Sequence, residues 1–156
     1  MTDLSPNGLV DQGPPAEIQI TNLLYRYAEL IDTGDFAATA ELFRHAQVVL
    51  DPDSGYSVGE DGIRDLWASL IKLNKNGLPG VKHLVTNPIV EVDRAAGTAT
   101  ARSYYTVLQR IDEEVTVIAS GRYHDKFGHI DGEWCFTERD YSLLDLPGDM
   151  SHHLRS

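Results

Sequence analysis

Apolar residues recur at intervals of three and four from Ile20 through Leu23, Leu24, Tyr27, Leu30 and Ile31, the stripe of an amphipathic helix. Gly34 supplies its stop. Asp35 then stands where an N-cap belongs, ahead of a second short helix over FAATAELF. Ile63, Leu66, Trp67, Leu70 and Leu73 repeat the helical spacing, predicting a third helix that breaks at Asn76, Gly77, Pro79 and Gly80. A short strand, QVVLD, lies between helices two and three.

After Gly80 the period falls to two. Four β-rich runs follow, Lys82 to Val92, Thr98 to Ile111, Glu114 to Phe127 and Trp134 to Leu144, with turn signals between them. Connections this short favour antiparallel hairpins. Helices first and a meander afterwards is an α+β order, in which a long twisted sheet curls around three N-terminal helices and leaves a cavity closed at one end. Ile20, Leu23, Leu24, Leu66 and Trp67 are expected in the core. Pro88 cannot donate to a ladder, so it marks a bulge or an edge.

Strand parity assigns faces. In the third run Val115, Val117, Ala119, Gly121 and Tyr123 form an apolar face, and Arg122 and His124 point away from the core. His83 shares its face with Val81, Val85 and Asn87 where no bulge intervenes.

Composition narrows the function classes. At 156 residues with 42% hydrophobic content the chain is read as one domain able to bury a core without disulfides. Residues 1–15 combine Pro, Gly and Asp without periodicity and read as a flexible N-terminal arm, residues 16–145 as the folded domain, and residues 146–156 as a flexible tail in which His152 and His153 are solvent-exposed. A net charge of −11 has the wrong sign for a phosphate backbone or an anionic membrane surface. The absence of a secretory or membrane-spanning apolar run predicts a cytoplasmic protein. Walker, GxGxxG, GxSxG and HExxH patterns are absent, and the single cysteine, Cys135, reads as a small buried hydrophobe. No histidine pair has metal-ligand spacing within an element, so a reaction without metal or cofactor is expected.

The candidate chemistry lies in two contexts: Asp32 in YAELIDTGDF at a helix end, and His83 in GVKHLVTNPIVEV at a strand start. A carboxylate that reaches an imidazole holds its tautomer and favours the imidazolium, producing a base for proton transfer. Together with GEDGIRDLW, ATARSYYTVLQR, GRYHDKF and GEWCFTERDY, these segments resemble the SnoaL-like branch of the nuclear-transport-factor-2-like superfamily over about Ala16 to Tyr141. The resemblance implies a cone-shaped pocket under a curved sheet. It also implies that Asp32 and His83 stand where scytalone dehydratase and hexachlorocyclohexane dehydrochlorinase have their Asp and His.

Carry-over also brings departures. The dehydratase's second histidine falls at Leu108 or Gln109 here, and the tyrosine preceding its aspartate is Ile31. The Asp, Arg, Asp set of limonene epoxide hydrolase is not assembled. The candidate substrate contacts are Tyr27 on the helix stripe, Trp67 as a pocket wall, Asn87 beyond His83, Tyr104 on the parity of Leu108, Gly121 and Tyr123 on the apolar face, and Arg139 as a counter-charge. The expected function is a cofactor-independent lyase or isomerase acting on a small hydrophobic, cyclic substrate. Its rival is a non-catalytic binding or assembly module such as a dioxygenase small-subunit-like protein. Relatives bury the convex sheet face against another subunit, which implies a homodimer or homotrimer.

Overall fold

A computed structural model describes residues 13–156; most of the N-terminal arm expected over 1–15 therefore lies outside the described residues. Helix α1 spans Ala16–Thr33 and buries Ile20, Leu24, Tyr27, Ala28 and Ile31, one side of the apolar stripe. Gly34 ends it in the left-handed conformation, φ 72°, with its N–H bonded to the Ile31 carbonyl. Asp35 caps α2 (Phe36–Glu41) by accepting from the Ala38 N–H at 2.9 Å, as an N-cap aspartate should. Strands β1 (Gln47–Asp51) and β2 (Tyr56–Val58) form a hairpin before α3 (Glu60–Leu70). Leu73, expected in that helix, lies beyond it and is exposed, because Ile71 turns to an extended conformation and bridges Leu154.

Strands β3 (Val81–Asp93), β4 (Thr98–Ile111), β5 (Glu114–Ile130), β6 (Glu133–Asp140) and β7 (Leu144–Pro147) complete the fold. The sheet order is β2-β1-β6-β5-β4-β3, with β7 pairing β5; all pairings are antiparallel except β1 with β6. Among the described residues, three helices and a seven-stranded, mostly antiparallel, open curved sheet make this an α+β cone. The fourth run splits: residues 141–143 leave the ladder after β6, and β7 returns to pair β5 from Ala119 to Gly121.

Two bulges decide which side chains face inward. In β3, Thr86 pairs Tyr104 and Ile89 pairs Arg102, so Asn87 and Pro88 are both inserted opposite Ser103. Pro88 marks both a bulge and an edge strand, as its missing donor requires. In β5, Val107 pairs Ala119 and Leu108 pairs Val117, which leaves Ile118 as the extra residue. Ile118 and Ala119 are both buried, and the parity reverses before them. Val115 and Val117, expected on the apolar inner face, are consequently exposed on the convex one. Arg122 and His124 point away from the core as expected.

The core fills the space between the helices and the concave face. Ile20, Leu24 and Trp67 are buried, and Leu23 and Leu66 pack against them partly covered.

Candidate functional site

Asp32 sits in the last turn of α1, just past the buried stripe, and there it meets the edge strand β3. Its carboxylate accepts from the His83 backbone N–H at 3.1 Å through both oxygens and from His83 Nδ1 at 2.7 Å. Both side chains are nearly covered. The edge-strand donor that would otherwise be open is thereby capped. A carboxylate only accepts, so the 2.7 Å contact requires the proton on His83 Nδ1. Nε2 is left as the nitrogen available to the cavity that His83 lines. Lys82, on the outer face, brings its ammonium to 3.9 Å from the same carboxylate.

The cavity has a volume of about 300 Å³ and is bounded by α1, α3, β3, β4, β5 and the segment after β6. Ile31, Leu70, Ile71, Val107, Ile118 and Ala119 supply apolar wall, and the polar groups are few: His83, His153, Tyr27, Tyr105, Tyr123 and Tyr141. Small-molecule sites have this make-up. A larger surface cleft of about 560 Å³ at the far end of the sheet is lined by Glu91, Asp93, Thr98, Lys126 and Thr137 among others.

At the cavity wall the Tyr141 hydroxyl donates to the Tyr27 hydroxyl in a short hydrogen bond. Burial pushes the phenol pKa up at Tyr27, Tyr123, Tyr141 and Tyr105, and at Tyr27 the Arg139 charge opposes it. These phenols are therefore proton-bearing donors at neutral pH, not bases.

Behind the tyrosines lies a sealed ion pair. Arg139 is 0% exposed and reaches Asp125 in a bidentate contact at 2.7 and 2.9 Å. Its guanidinium carbon lies 4.3 Å from the Tyr27 ring centroid and 4.0 Å from that of Tyr123. Burial alone would lower the arginine pKa; the facing Asp125 charge and hydrogen bonds outweigh it and hold the guanidinium charged. Burial lifts Asp125, opposed by Arg139.

Of the expected site residues, Asp32, His83, Tyr27, Trp67 and Tyr123 come together at the cavity, four of them on its lining and Asp32 behind His83. Four do not. Arg139 stands behind Tyr27 and Tyr123 and is not on the lining. Tyr104 is 54% exposed and, with Asn87, lines a depression on the convex face. For Asn87 the cause is the β3 bulge, where its φ is 54°. For Tyr104 it is the alternation of β4, which turns Ala101, Ser103, Tyr105 and Val107 inward. Arg102 and Arg110 share the parity of Tyr104, a polarity cue that would have selected Tyr105. Gly121 makes room for a chain crossing: a Cβ there would stand 2.2 Å from the Leu143 carbonyl oxygen and 2.8 Å from the Tyr105 hydroxyl.

The residues beyond the expected set are Tyr105, Tyr141 and His153. Tyr141 ends the GEWCFTERDY segment, so its signal was present. His153 had none, and the expectation that it is exposed is corrected: it is 7% exposed, whereas His152 is open to solvent. Residues 148–155 fold back from β7 to the end of α3. Gly148 N donates to the Ile118 carbonyl, Gln109 Nε2 to the His152 carbonyl at 3.3 Å, Lys72 N to the His153 carbonyl at 2.8 Å, and Arg155 N to the Leu70 carbonyl at 2.7 Å. This strap brings Met150, His153 and Leu154 onto the cavity. Among the described residues no group of three or more His, Cys, Asp or Glu side chains is arranged to hold a metal ion, and no helix is long and apolar enough to cross a membrane.

A family model of the SnoaL-like domain matches residues 15–140. The chain belongs to the SnoaL-like domain family. Solved structures agree on the fold. An NTF2-like protein with a cystatin-like fold from Novosphingobium aromaticivorans superposes with a TM-score of 0.67 at 23% identity, covering 82% of this SnoaL-like chain and 81% of that one. A Mycobacterium tuberculosis protein of unknown function superposes with a TM-score of 0.65 at 27% identity, over 82% of this chain and 75% of its own. A further Novosphingobium aromaticivorans protein, provisionally assigned as a scytalone dehydratase, gives a TM-score of 0.63 at 20% identity and 83% coverage of both chains. No curated protein matches this SnoaL-like sequence.

Proposed function

We propose that this SnoaL-like chain is a cofactor-independent lyase or isomerase acting on a small, hydrophobic, cyclic molecule. His83 Nε2 takes a proton from a carbon next to a carbonyl, and the bonding electrons pass to the carbonyl oxygen. Tyr27, whose hydroxyl already receives a hydrogen bond from Tyr141, donates its own proton to a hydrogen bond with that oxygen. The reaction then ends by loss of a leaving group from the neighbouring carbon, which takes the proton held by the His83 imidazolium as it departs, or by return of that proton to another carbon. Asp32 fixes the tautomer and faces the imidazolium that forms. The observation that carries this reading is the 2.7 Å contact between Asp32 Oδ1 and His83 Nδ1, with the ring on the lining of an apolar cavity.

The test is proton exchange. A panel of cyclic ketones and β-hydroxy ketones is incubated with the protein in D2O, and loss of the α-proton signal is followed by NMR. Accelerated exchange of at least one compound is expected. No acceleration across the panel would favour the rival, a binding or assembly module without catalysis.

That rival draws on the convex face, where Leu84, Ile89, Tyr104 and Val117 are exposed together on β3, β4 and β5. We assign the same face to contact with a second copy, as a homodimer or homotrimer. Light scattering at tens of micromolar, a range suited to modest interfaces, decides it.

A further inference from the structure

The geometry points to His153 as the residue that recognises a hydroxyl on the ligand, holding its oxygen between the two imidazoles of the cavity. The inference rests on the cavity being the ligand site, and not on proton transfer by His83.

Three observations converge. His153 is buried on the cavity lining, and its Nδ1 has no hydrogen-bond partner among the described residues. A buried polar atom left unpaired is costly, so a ligand able to pair it gains on that account. The His153 and His83 ring centroids are 6.4 Å apart, too far for a direct ring-to-ring hydrogen bond. One oxygen atom fits between them at ordinary distances of about 2.8 Å. Finally, the ring is held there by hydrogen bonds to its backbone: the Gln109 side-chain Nε2 pins the preceding His152 carbonyl, and Lys72 N pins the carbonyl of His153 itself. The family match ends at residue 140, so the strap and His153 lie outside the part of the chain that carries the family likeness.

The charge state suits a hydroxyl. Burial first, and the neighbouring His83 second, lower His153 to about 4. At neutral pH it is an uncharged imidazole; with its proton on Nδ1 it donates to the ligand hydroxyl oxygen, whose own O–H donates to the free Nε2 of His83. His153 holds no proton to give a leaving group as an imidazolium. Its work is therefore selection: a ring compound with a hydroxyl at one end fills the cavity better than the same ring without it, because only the former pairs the orphaned nitrogen.

The probes are 2-naphthol and naphthalene, equal in ring shape and different in one hydroxyl. Dissociation constants at pH 7 are read from quenching of Trp67, which lies on the cavity wall. We expect the wild type to prefer 2-naphthol by roughly tenfold, the range of one buried hydrogen bond. His153→Phe should abolish the preference and His153→Gln should keep most of it. In the unmodified protein, 2-naphthol should move the His153 ring ¹⁵N resonance well beyond the shift naphthalene produces, a readout independent of any variant's folding. Binding of neither probe, equal binding of both, a preference that survives His153→Phe, or equal ¹⁵N shifts would each overturn the assignment. Because binding is read and not turnover, a protein with no proton-transfer activity can still pass, and an active one can fail.

Discussion

Among the described residues two buried carboxylates each hold a basic side chain, and they differ in what is left over. Asp125 and Arg139 are sealed between Tyr27, Tyr123 and the sheet; their bidentate contact engages both carboxylate oxygens, and the one nitrogen left without a partner among the described residues, Arg139 Nη1, is buried off the cavity lining. Asp32 engages one nitrogen of His83, its backbone donor and, at 3.9 Å, the Lys82 ammonium, which leaves His83 Nε2 uncommitted at the cavity. A closed pair braces the fold. A pair with one reactive atom uncommitted at a cavity is equipped for chemistry, and burial alone does not distinguish the two.

The comparison breaks most visibly in stability. Asp125→Asn should remove the charge facing Arg139 and cost about 3–5 kcal/mol, the usual penalty for an orphaned buried charge. Asp32→Asn, at a site with a smaller enclosed charge and a retained acceptor, should cost only about 1 kcal/mol. Urea melts of the two variants side by side measure this; equal losses would erase the distinction drawn here.

Acid should act through His153. Its folded value, about 4, lies below the ordinary 6.5, so as pH falls the unfolded chain takes up the proton first. This contribution is intact above pH 6.5 and is lost progressively between 6.5 and about 4. The loss should be on the order of 1–3 kcal/mol. The difference between wild type and His153→Gln in melts at pH 7 and pH 5 isolates it, since the glutamine variant lacks this dependence.

Tyr141→Phe removes the donor to Tyr27 and should lower turnover by roughly tenfold with the fold retained. Steady-state kinetics on any compound that exchanges check it, and unchanged turnover would remove the tyrosine pair from the mechanism. The smallest effects should come from the convex side of the same strands: Tyr104→Ser and Asn87→Ser should leave turnover within about twofold, apart from any change in oligomeric state.

Much of this was legible in the chain. The α1 stripe, the Asp35 cap, the change of period after Gly80 and the meander follow from local spacing, which a single sequence carries. Asp32 and His83 were legible through their contexts, and the structure brings them into contact. The misplaced residues share a different cause. An inserted residue leaves no mark in a two-residue period but reverses every side chain beyond it, which is how Val115, Val117 and Asn87 exchanged faces. Arg139 was misplaced because an arginine amid β-period residues does not announce a buried aspartate fourteen positions earlier. His153 escaped entirely, since the strap is held by long-range bonds, from the Gln109 side chain and the Lys72 backbone to its carbonyls and from Arg155 to the end of α3, that no local periodicity within residues 148–155 announces.

The central claim, that His83 supported by Asp32 abstracts a proton within the cavity, is tested most directly by deuterium exchange at the substrate α-carbon in matched proteins. Wild type should exchange the proton, and His83→Ala and Asp32→Asn should slow it by about 10²- to 10⁴-fold at unchanged global fold. Exchange that continues at the wild-type rate in His83→Ala would contradict the account.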